Sequence, residues 1–147
     1  MHLSTDPDFF ALLTGSFARL LGRPLVPVSA DAAWLYRAAP FVVLAHNTDD
    51  DPKFIYANRA AQACFEYSRE EFMSLPSRLS AKAPDRAARQ VLLDEVARNG
   101  FIENYRGVRV AKSGRHFAIE DGIVWELFDE GGMRHGQAAT FMSWRNL

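Results

Sequence analysis

The chain has 147 residues and a net charge of −1, and hydrophobic residues make up 48% of the sequence. This length and composition are typical of one folded domain with a buried core, and they exclude an intrinsically disordered chain. The near-neutral charge argues against a non-specific nucleic-acid binder, which needs an excess of lysine and arginine. No apolar run reaches the roughly 18 residues that span a bilayer, and the single cysteine, Cys64, is consistent with a cytoplasmic location.

The first predicted element is an apolar helix that begins after Asp6, with Pro7 at its first position, and ends at Gly22. Its large apolar residues recur at spacings of three and four, so they form one stripe along the helix. A stripe of this size needs a covering surface. We predict that it pairs with a second copy of the chain in a homodimer; the alternative is that it folds back onto the protein's own sheet. The predicted interface residues are Phe9, Phe10, Leu13, Phe17 and Leu20.

A proline-interrupted segment, Leu25–Val28, separates this helix from the remainder of the chain. The boundary predicts two parts, which are an N-terminal helix and linker at residues 1–28 and a domain at residues 29–147. The domain begins with a short helix, Ser29–Arg37, for which Ser29 is the expected N-cap.

The next segment has the pattern of strand, turn, strand and two helices. Phe41–His46 and Phe54–Tyr56 have the valine and aromatic content of strands, and the acidic stretch between them has the composition of a turn. Asn58 is positioned to cap the first of the two helices. Ser68, followed three residues later by Glu71, has the capping-box pattern that begins the second.

The second half of the chain changes from a helical to a strand pattern. A long helix is predicted at Pro84–Asn99, with Val91 and Leu92 on its buried side and Arg89 on its solvent side. Three strands follow, and with the two earlier strands they complete a five-stranded antiparallel sheet. These strands are Phe101–Val110, His116–Phe128 and Gln137–Trp144. The predicted fold class is α+β, with helices on one face of the sheet and the N-terminal helices flanking it.

Four stretches of the chain are distinctive, and they lie between about Trp34 and Trp144. They read APFVVLAHNTDDDPKFIYANRAA, FEYSREEFMSLPSRLSA, GFIENYRGVRVAKSGRHFAIEDGIVWELFDEGG and GQAATFMSW. The order of elements resembles that of a PAS sensor domain, and these stretches resemble the MEKHLA family, a PAS-related domain. The resemblance implies a PAS-like module for ligand sensing or dimerisation. It supplies no catalytic residue and no cofactor that can be carried over to this chain, and the DNA-binding segments of plant members have no counterpart in it.

Two cofactors that PAS domains use elsewhere are not predicted. Light-sensing PAS domains resemble one another through an Asn-Cys-Arg-Phe-Leu run, whereas Cys64 lies in Gln-Ala-Cys-Phe on an apolar helix face and is predicted to be a buried structural thiol. Haem-binding PAS domains usually take an axial histidine from the long helix, and Pro84–Asn99 contains none. The cofactor is therefore left unknown.

Neither a metal site nor a catalytic site is predicted. His46 and the run Asp49–Asp51 suit a divalent ion by residue type, but turn geometry accounts for the aspartates. Ser113, His116 and Asp121 lie close in sequence without a nucleophile elbow. We therefore expect no enzymatic activity.

The candidate ligand site is a pocket between the inner face of the sheet and the middle helices. Alternation along His116–Phe128 places Asp121 on the same apolar face as Trp125, where a carboxylate without a partner is costly. Arg78 is a candidate anchor for an anionic ligand group. The pattern leaves open which face of Phe101–Val110 points inward, and whether a pocket or a filled core lies there. The candidate ligand-binding residues are Tyr105, Arg109, Trp125, Asp121, Arg78 and Tyr56.

These features together predict a stand-alone sensory or regulatory module that binds a small molecule. It would signal through protein–protein contact, as a homodimer and with an unidentified downstream protein. The alternative is a ligand-free dimerisation or interaction domain with no enzymatic activity. Neither nucleic acid nor a membrane is an expected partner.

Overall fold

We describe residues 3–73, 75–81 and 83–147 of a computed structural model, and for residues 83–86 only the backbone. The helices are α1 (Pro7–Leu21), α2 (Ala32–Arg37), α3 (Arg59–Phe65), α4 (Arg69–Phe72) and α5 (Ala83–Asn99), with a short 3-10 helix at Ser77–Ser80 before α5. The strands are β1 (Val42–His46), β2 (Phe54–Ala57), β3 (Phe101–Val110), β4 (His116–Phe128), β5 (Arg134–Phe141) and β6 (Ser143–Asn146). None of the helices described is long and apolar enough to cross a membrane.

The sheet is antiparallel, with the strand order β2-β1-β5-β4-β3, and β6 pairs with the first part of β4. The single predicted strand Gln137–Trp144 is therefore two strands, which Met142 separates. Both keep the same register against β4, because Ile123 pairs with Thr140 and Glu120 pairs with Ser143. The predicted α+β fold, an antiparallel sheet with helices packed on it, is confirmed.

Capping residues begin the helices largely where the sequence places them. Asn58 is buried and caps α3 by accepting a hydrogen bond from the Ala61 amide at 3.0 Å, and its side-chain nitrogen donates to the carbonyl of Phe41. Ser68 and Glu71 form the predicted capping box. The N-cap of α2 is Asp31 rather than Ser29, because the Asp31 carboxylate accepts from the Trp34 amide and the helix starts at Ala32.

A pair of bulges interrupts the β3–β4 ladder. Asn104 in β3 and Asp121 in β4 have positive φ angles of 54° and 51°, and the register shifts on both sides of the Tyr105–Gly122 pair. Each bulge adds one residue to its strand, so the register is restored beyond them. The alternation of β4 therefore reverses at Asp121, and residues of equal parity before and after it face opposite sides of the sheet.

This reversal corrects the prediction that one apolar face runs the length of β4. Phe117 and Ile119 pack in the core beneath α3–α5, whereas Trp125 and Leu127 pack in the core beneath α1. Asp121 lies at the turn-over point and is exposed. Because the Asp121 carboxylate is exposed to solvent, it does not need the charged partner that a buried carboxylate would require.

Helix α1 covers the outer face of the sheet. The Phe17 ring meets the Trp125 ring edge-on at a centroid distance of 5.0 Å, and Phe9 contacts Tyr56 at 5.3 Å. Ser16 Oγ donates to the Phe128 carbonyl at 2.7 Å and accepts from the Phe128 amide at 2.9 Å.

The apolar stripe of α1 is thus covered by the protein's own sheet. Phe9, Leu13 and Phe17 are buried in the chain itself, so the prediction that these three side chains lie at a dimer interface is corrected. Phe10 and Leu20, the other two predicted interface residues, are half-buried. The homodimer itself stays a prediction.

Candidate functional site

A cavity lies on the inner face of the sheet, between strands β1, β3, β4 and β5 and helix α5. Its walls are mostly apolar, and they include Leu44, Phe54, Leu92, Val96, Ile119 and Phe141. The cavity has a volume of about 50 Å³, which is room for roughly three or four water molecules or a small ligand.

Two arginines line this cavity. Arg89 of α5 is 8% exposed and Arg109 of β3 is 9% exposed. Arg89 Nη2 donates to Ser77 Oγ at 2.9 Å, while Arg109 donates to the Val108 carbonyl at 2.9 Å and to the Tyr105 hydroxyl. Within the described part of the chain, neither guanidinium forms an ion pair with a carboxylate.

Burial and repulsion from Arg109 act together on Arg89. Burial is the larger cause, and the two lower the pKa of Arg89 to about 10. Arg89 therefore stays charged at neutral pH, and the cavity carries two positive charges.

The inward position of Arg89 corrects the prediction that it faces solvent. The buried side of α5 consists of Arg89, Leu92, Leu93 and Val96, whereas Val91 is 59% exposed. These four residues have the spacing i, i+3, i+4 and i+7, which is the spacing of a helix face packed on a core. An arginine at the first position of that pattern is the sequence signal that would have identified the residue.

Arg109 is held by its neighbours on β3. Tyr105, Gly107 and Arg109 alternate along one face of the strand, and the Arg109 guanidinium carbon lies 5.4 Å from the centre of the Tyr105 ring. A Cβ atom at Gly107 would overlap the Tyr105 hydroxyl. Glycine at this position therefore permits the tyrosine and the arginine to meet, and the inner face of β3 is settled as the face that carries both.

Two other buried polar atoms of the lining residues, His46 Nε2 and Gln137 Oε1, have no hydrogen-bond partner in the described part of the chain. The two residues are directly paired across β1 and β5. His46 Nδ1 lies 3.0 Å from the carbonyl of Asn47, which only accepts, so Nδ1 carries the proton and Nε2 is an acceptor. Gln137 Nε2 donates to the Leu93 carbonyl at 3.1 Å, which fixes its Oε1 as the free end. Both unpartnered atoms are therefore acceptors.

His46 is held neutral by its surroundings. Burial is the largest cause that lowers the pKa of His46, and the positive charges of Arg89 and Arg134 act in the same direction. The hydrogen bond to Asn47 and the neighbouring Gln137 side chain, to which a protonated ring would donate, act against them. The result is a pKa of about 4. At neutral pH the imidazole adds no charge to the cavity.

The other buried ion in this region has partners. Glu126 is completely buried, and its carboxylate accepts hydrogen bonds from Arg134 and from Gln137. Removal of Arg134 would leave the buried carboxylate of Glu126 without its counter-charge.

Of the six predicted ligand-binding residues, two line the cavity. Tyr105 and Arg109 do so, and a ligand-binding role for them stays a prediction. Trp125 and Tyr56 lie in the outer core under α1. Asp121 is exposed at the bulge.

Arg78 is also exposed, and its Nε donates to Asp51 at 3.1 Å. Trp125, Tyr56, Asp121 and Arg78 are therefore removed from the candidate site. The polar lining residues that the pattern missed are Arg89, His46, Gln137, Ser80 and Thr140.

Cys64 is buried, as predicted, and it is not among the residues that line the cavity. Burial raises the pKa of its thiol to about 12. Within the described ranges no group of three or more His, Cys, Asp or Glu side chains is arranged to hold a metal ion.

Comparison with known families identifies the chain. A family model described as the MEKHLA domain matches residues 7–146. The chain belongs to the MEKHLA domain family. The match includes α1, and the predicted division of the chain at residue 28 stays a prediction. This MEKHLA domain is 28% identical over 159 residues to the homeobox-leucine zipper protein ATHB-9 of Arabidopsis thaliana, and the alignment covers 98% of this chain but 18% of that protein.

Solved structures similar to this MEKHLA domain include PAS domains and a fungal photoreceptor. A PAS domain of a Colwellia psychrerythraea protein has a TM-score of 0.65 at 14% identity, covering 78% of this chain and 92% of that one. A PAS domain from a two-component sensor histidine kinase has a TM-score of 0.59 at 23% identity, with coverage of 78% and 91%. The light-state dimer of the fungal blue-light photoreceptor Vivid has a TM-score of 0.59 at 17% identity, with coverage of 86% and 90%. These similarities establish the PAS fold.

The residues of this MEKHLA domain do not fit a light-sensing flavin site. The one thiol, Cys64, lies outside the cavity with a raised pKa, and a flavin is much larger than a cavity of about 50 Å³. The cavity is therefore not assigned to a flavin.

Proposed function

We propose that this MEKHLA domain is a sensory module that binds a small molecule in the cavity and signals through contact with another protein. One observation carries the proposal: a cavity inside the core is lined by two buried cations and two buried acceptors, and the described part of the chain supplies neither a carboxylate for the cations nor a donor for the acceptors. Buried polar groups normally have partners, so exceptions around a cavity are candidates for ligand contacts. No catalytic activity is expected.

The sheet supplies a short route from the cavity to the protein surface. Val124 of β4 lines the cavity, while its neighbour Trp125 points to the other face and packs on Phe17 of α1. A ligand that shifts β4 would therefore shift the surface on which α1 rests. Helix α1 is the element that we expect to transmit the signal.

A second copy of the chain is the first partner that we expect. The outer side of α1 carries the exposed residues Ala11 and Ala18, beside the half-buried Phe10 and Leu20. The similar photoreceptor Vivid is described as a light-state dimer. An unidentified downstream protein completes the proposal, and a cytoplasmic location stays a prediction from the sequence.

A ligand-free dimerisation domain is the second candidate function. The small volume of the cavity favours it, because water molecules could satisfy the unpartnered atoms. This candidate predicts a dimer that has no ligand and no response to small molecules.

The test is native mass spectrometry of the full chain, purified without added ligand, together with thermal unfolding in a library of small metabolites. A retained molecule or a reproducible rise in Tm supports the sensory function. A chain with no added mass and no change in Tm across the library contradicts it.

The role of α1 has a separate test. Ala18→Glu places a charge on the exposed side of α1, where it does not disturb the core, and Val28→Glu in the exposed linker is its control. We expect the first variant to convert a dimer into a folded monomer and the second to remain dimeric. A dimer that survives Ala18→Glu excludes this surface of α1.

A further inference from the structure

Among the residues whose side chains are described, no carboxylate balances the two charges at the cavity. The hydrogen bonds of Arg89 and Arg109 go to a serine hydroxyl, a backbone carbonyl and a phenol, all of which are neutral. An isolated buried charge is costly unless an opposite charge accompanies it. Two such charges near one cavity indicate that the missing counter-charge comes from outside the chain.

Elsewhere in the described part of the chain, arginines that are more exposed than these two do have carboxylate partners. The buried carboxylate of Glu126 accepts from Arg134, and Arg115 is paired with Glu66 at 3.1 Å. The absence of a carboxylate partner for Arg89 and Arg109 is therefore a local property of the cavity. It is not explained by a shortage of acidic residues, which number 18 in the sequence.

The two unpartnered acceptors at the cavity require a different chemical group. His46 Nε2 and Gln137 Oε1 are buried acceptors, and their orientations are fixed by the hydrogen bonds of the other ends of the two side chains. A group that satisfies either atom must donate a hydrogen bond. A hydroxyl group does so without adding charge next to the neutral imidazole.

We infer that the cavity binds a small hydroxycarboxylate, whose carboxylate accepts hydrogen bonds from Arg89 and Arg109 and whose hydroxyl donates to His46 Nε2 or Gln137 Oε1. The apolar walls suit the short carbon skeleton of such a molecule. The side chains that line the cavity must move apart to admit it, because a volume of about 50 Å³ holds only roughly three or four water molecules. Paired arginines bind carboxylates through strong charge-assisted hydrogen bonds. The inference rests on the proposed ligand-binding function and adds the chemical class of the ligand.

The first experiment is titration calorimetry of the full chain with four probes at constant ionic strength: lactate, propionate, lactamide and inorganic phosphate. We expect lactate to bind most tightly, propionate to bind roughly ten times more weakly because it lacks the hydroxyl, and lactamide to show no binding. Propionate that binds as tightly as lactate overturns the role of the hydroxyl. Phosphate that binds more tightly than lactate overturns the assignment to carboxylates in favour of inorganic anions.

The second experiment compares buried and exposed arginines on the same elements. Arg89→Met and Arg109→Met remove the cavity charges, whereas Arg98→Met on α5 and Arg106→Met on β3 remove exposed charges. We expect each cavity variant to weaken lactate binding at least tenfold and each exposed variant to bind as the unaltered chain does. Equal weakening in both pairs overturns the inference, because it indicates a non-specific charge effect.

The Tm of each variant shows whether a loss of lactate binding is caused by misfolding. In the absence of ligand we expect Arg89→Met to have a Tm equal to or above that of the unaltered chain, because it removes an uncompensated buried charge. If a methionine variant does not fold, Arg89→Lys and Arg109→Lys keep the charge and lose the two-pronged geometry, and we expect a smaller loss of lactate affinity. If the lysine variants bind lactate with unchanged affinity, the inference that the two guanidinium groups contact the carboxylate directly is overturned.

The failure of this inference is distinguishable from failure of the proposed function. A neutral molecule retained in native mass spectra, together with no response to lactate, overturns the hydroxycarboxylate and leaves a ligand-binding module. No response to any charged or neutral molecule overturns both.

Discussion

The two faces of the sheet are built for different purposes. The outer face, under α1, is filled by rings and aliphatic groups such as Phe17, Leu13 and Trp125. The inner face, under α5, contains a cavity, two buried cations and a neutral histidine. Unpartnered atoms of neutral side chains occur on both faces, such as Trp125 Nε1 on the outer face and Gln137 Oε1 on the inner face, so the buried cations are what distinguish the inner face. The difference indicates that packing on the outer face supports the stability of the fold, and it favours the inner face as the location of the proposed ligand site.

The largest effect is expected on the outer face. Phe17→Ala removes a buried ring from its contact with Trp125, and we expect the free energy of unfolding to fall by about 3–5 kcal/mol. Urea denaturation measures the change, and Val28→Ala, at a fully exposed position, is the control with no expected effect. A loss below about 1 kcal/mol would mean that α1 contributes little to the fold and that the contrast between the faces is wrong.

A pH titration probes the inner face. His46 has a pKa of about 4 in the folded protein, against 6.5 in the unfolded chain. Below pH 6.5 the unfolded state therefore takes up a proton that the folded state does not, so stability falls as the pH drops from 6.5 to 4. The loss attributable to His46 reaches about 3 kcal/mol.

The matched variant for this titration is His46→Gln, which keeps a polar side chain and cannot titrate. We expect its free energy of unfolding to depend less on pH between 7 and 4 than that of the unaltered chain. The carboxylates of Glu71 and Asp129, whose pKa values are lowered by their hydrogen-bond partners, are present in both proteins and cancel in the comparison. Identical pH profiles would show that His46 is not held neutral by burial.

The smallest effect is expected at the surface. Arg78 pairs with Asp51 at 3.1 Å, and about half of each side chain is exposed. We expect Arg78→Gln to change the free energy of unfolding by less than about 1 kcal/mol and to leave binding of small carboxylates unaltered. If this variant loses binding of small carboxylates, the binding site includes the Ser77–Ser80 segment and is not confined to the cavity.

Much of the fold is accessible to sequence reasoning because its signals are local. A cap acts within three residues, as Asn58 does on Ala61 and Ser68 on Glu71, so the starts of α3 and α4 are predicted correctly. Strands β1 to β4 follow from their composition and their turns. The start of α2 is wrong because Ser29 and Asp31 are both good caps two residues apart, and the competition is decided by the fit of the helix on the domain.

The candidate site is less accessible. Tyr105 and Arg109 are among the predicted ligand-binding residues, but the sequence leaves open which face of their strand points inward, and only the packed structure decides it. Arg89 is missed because charged side chains are normally exposed to solvent, so an arginine in a helix is assigned to the solvent side. Trp125 is misplaced because the bulge at Asp121 reverses the alternation from which its direction was inferred.

The sequence by itself determined the order of the elements, the helix starts at α3 and α4, the PAS-like α+β class and the resemblance to the MEKHLA family. Only the tertiary structure decided that α1 lies on the protein's own sheet, that β4 changes face at Asp121 and that Arg89 is buried at the cavity. The physical reason is the range of the interactions. Caps, turns and periodicity act over a few residues, whereas the burial of a charge and the face of a strand depend on contacts between distant segments, which form only when the chain is folded.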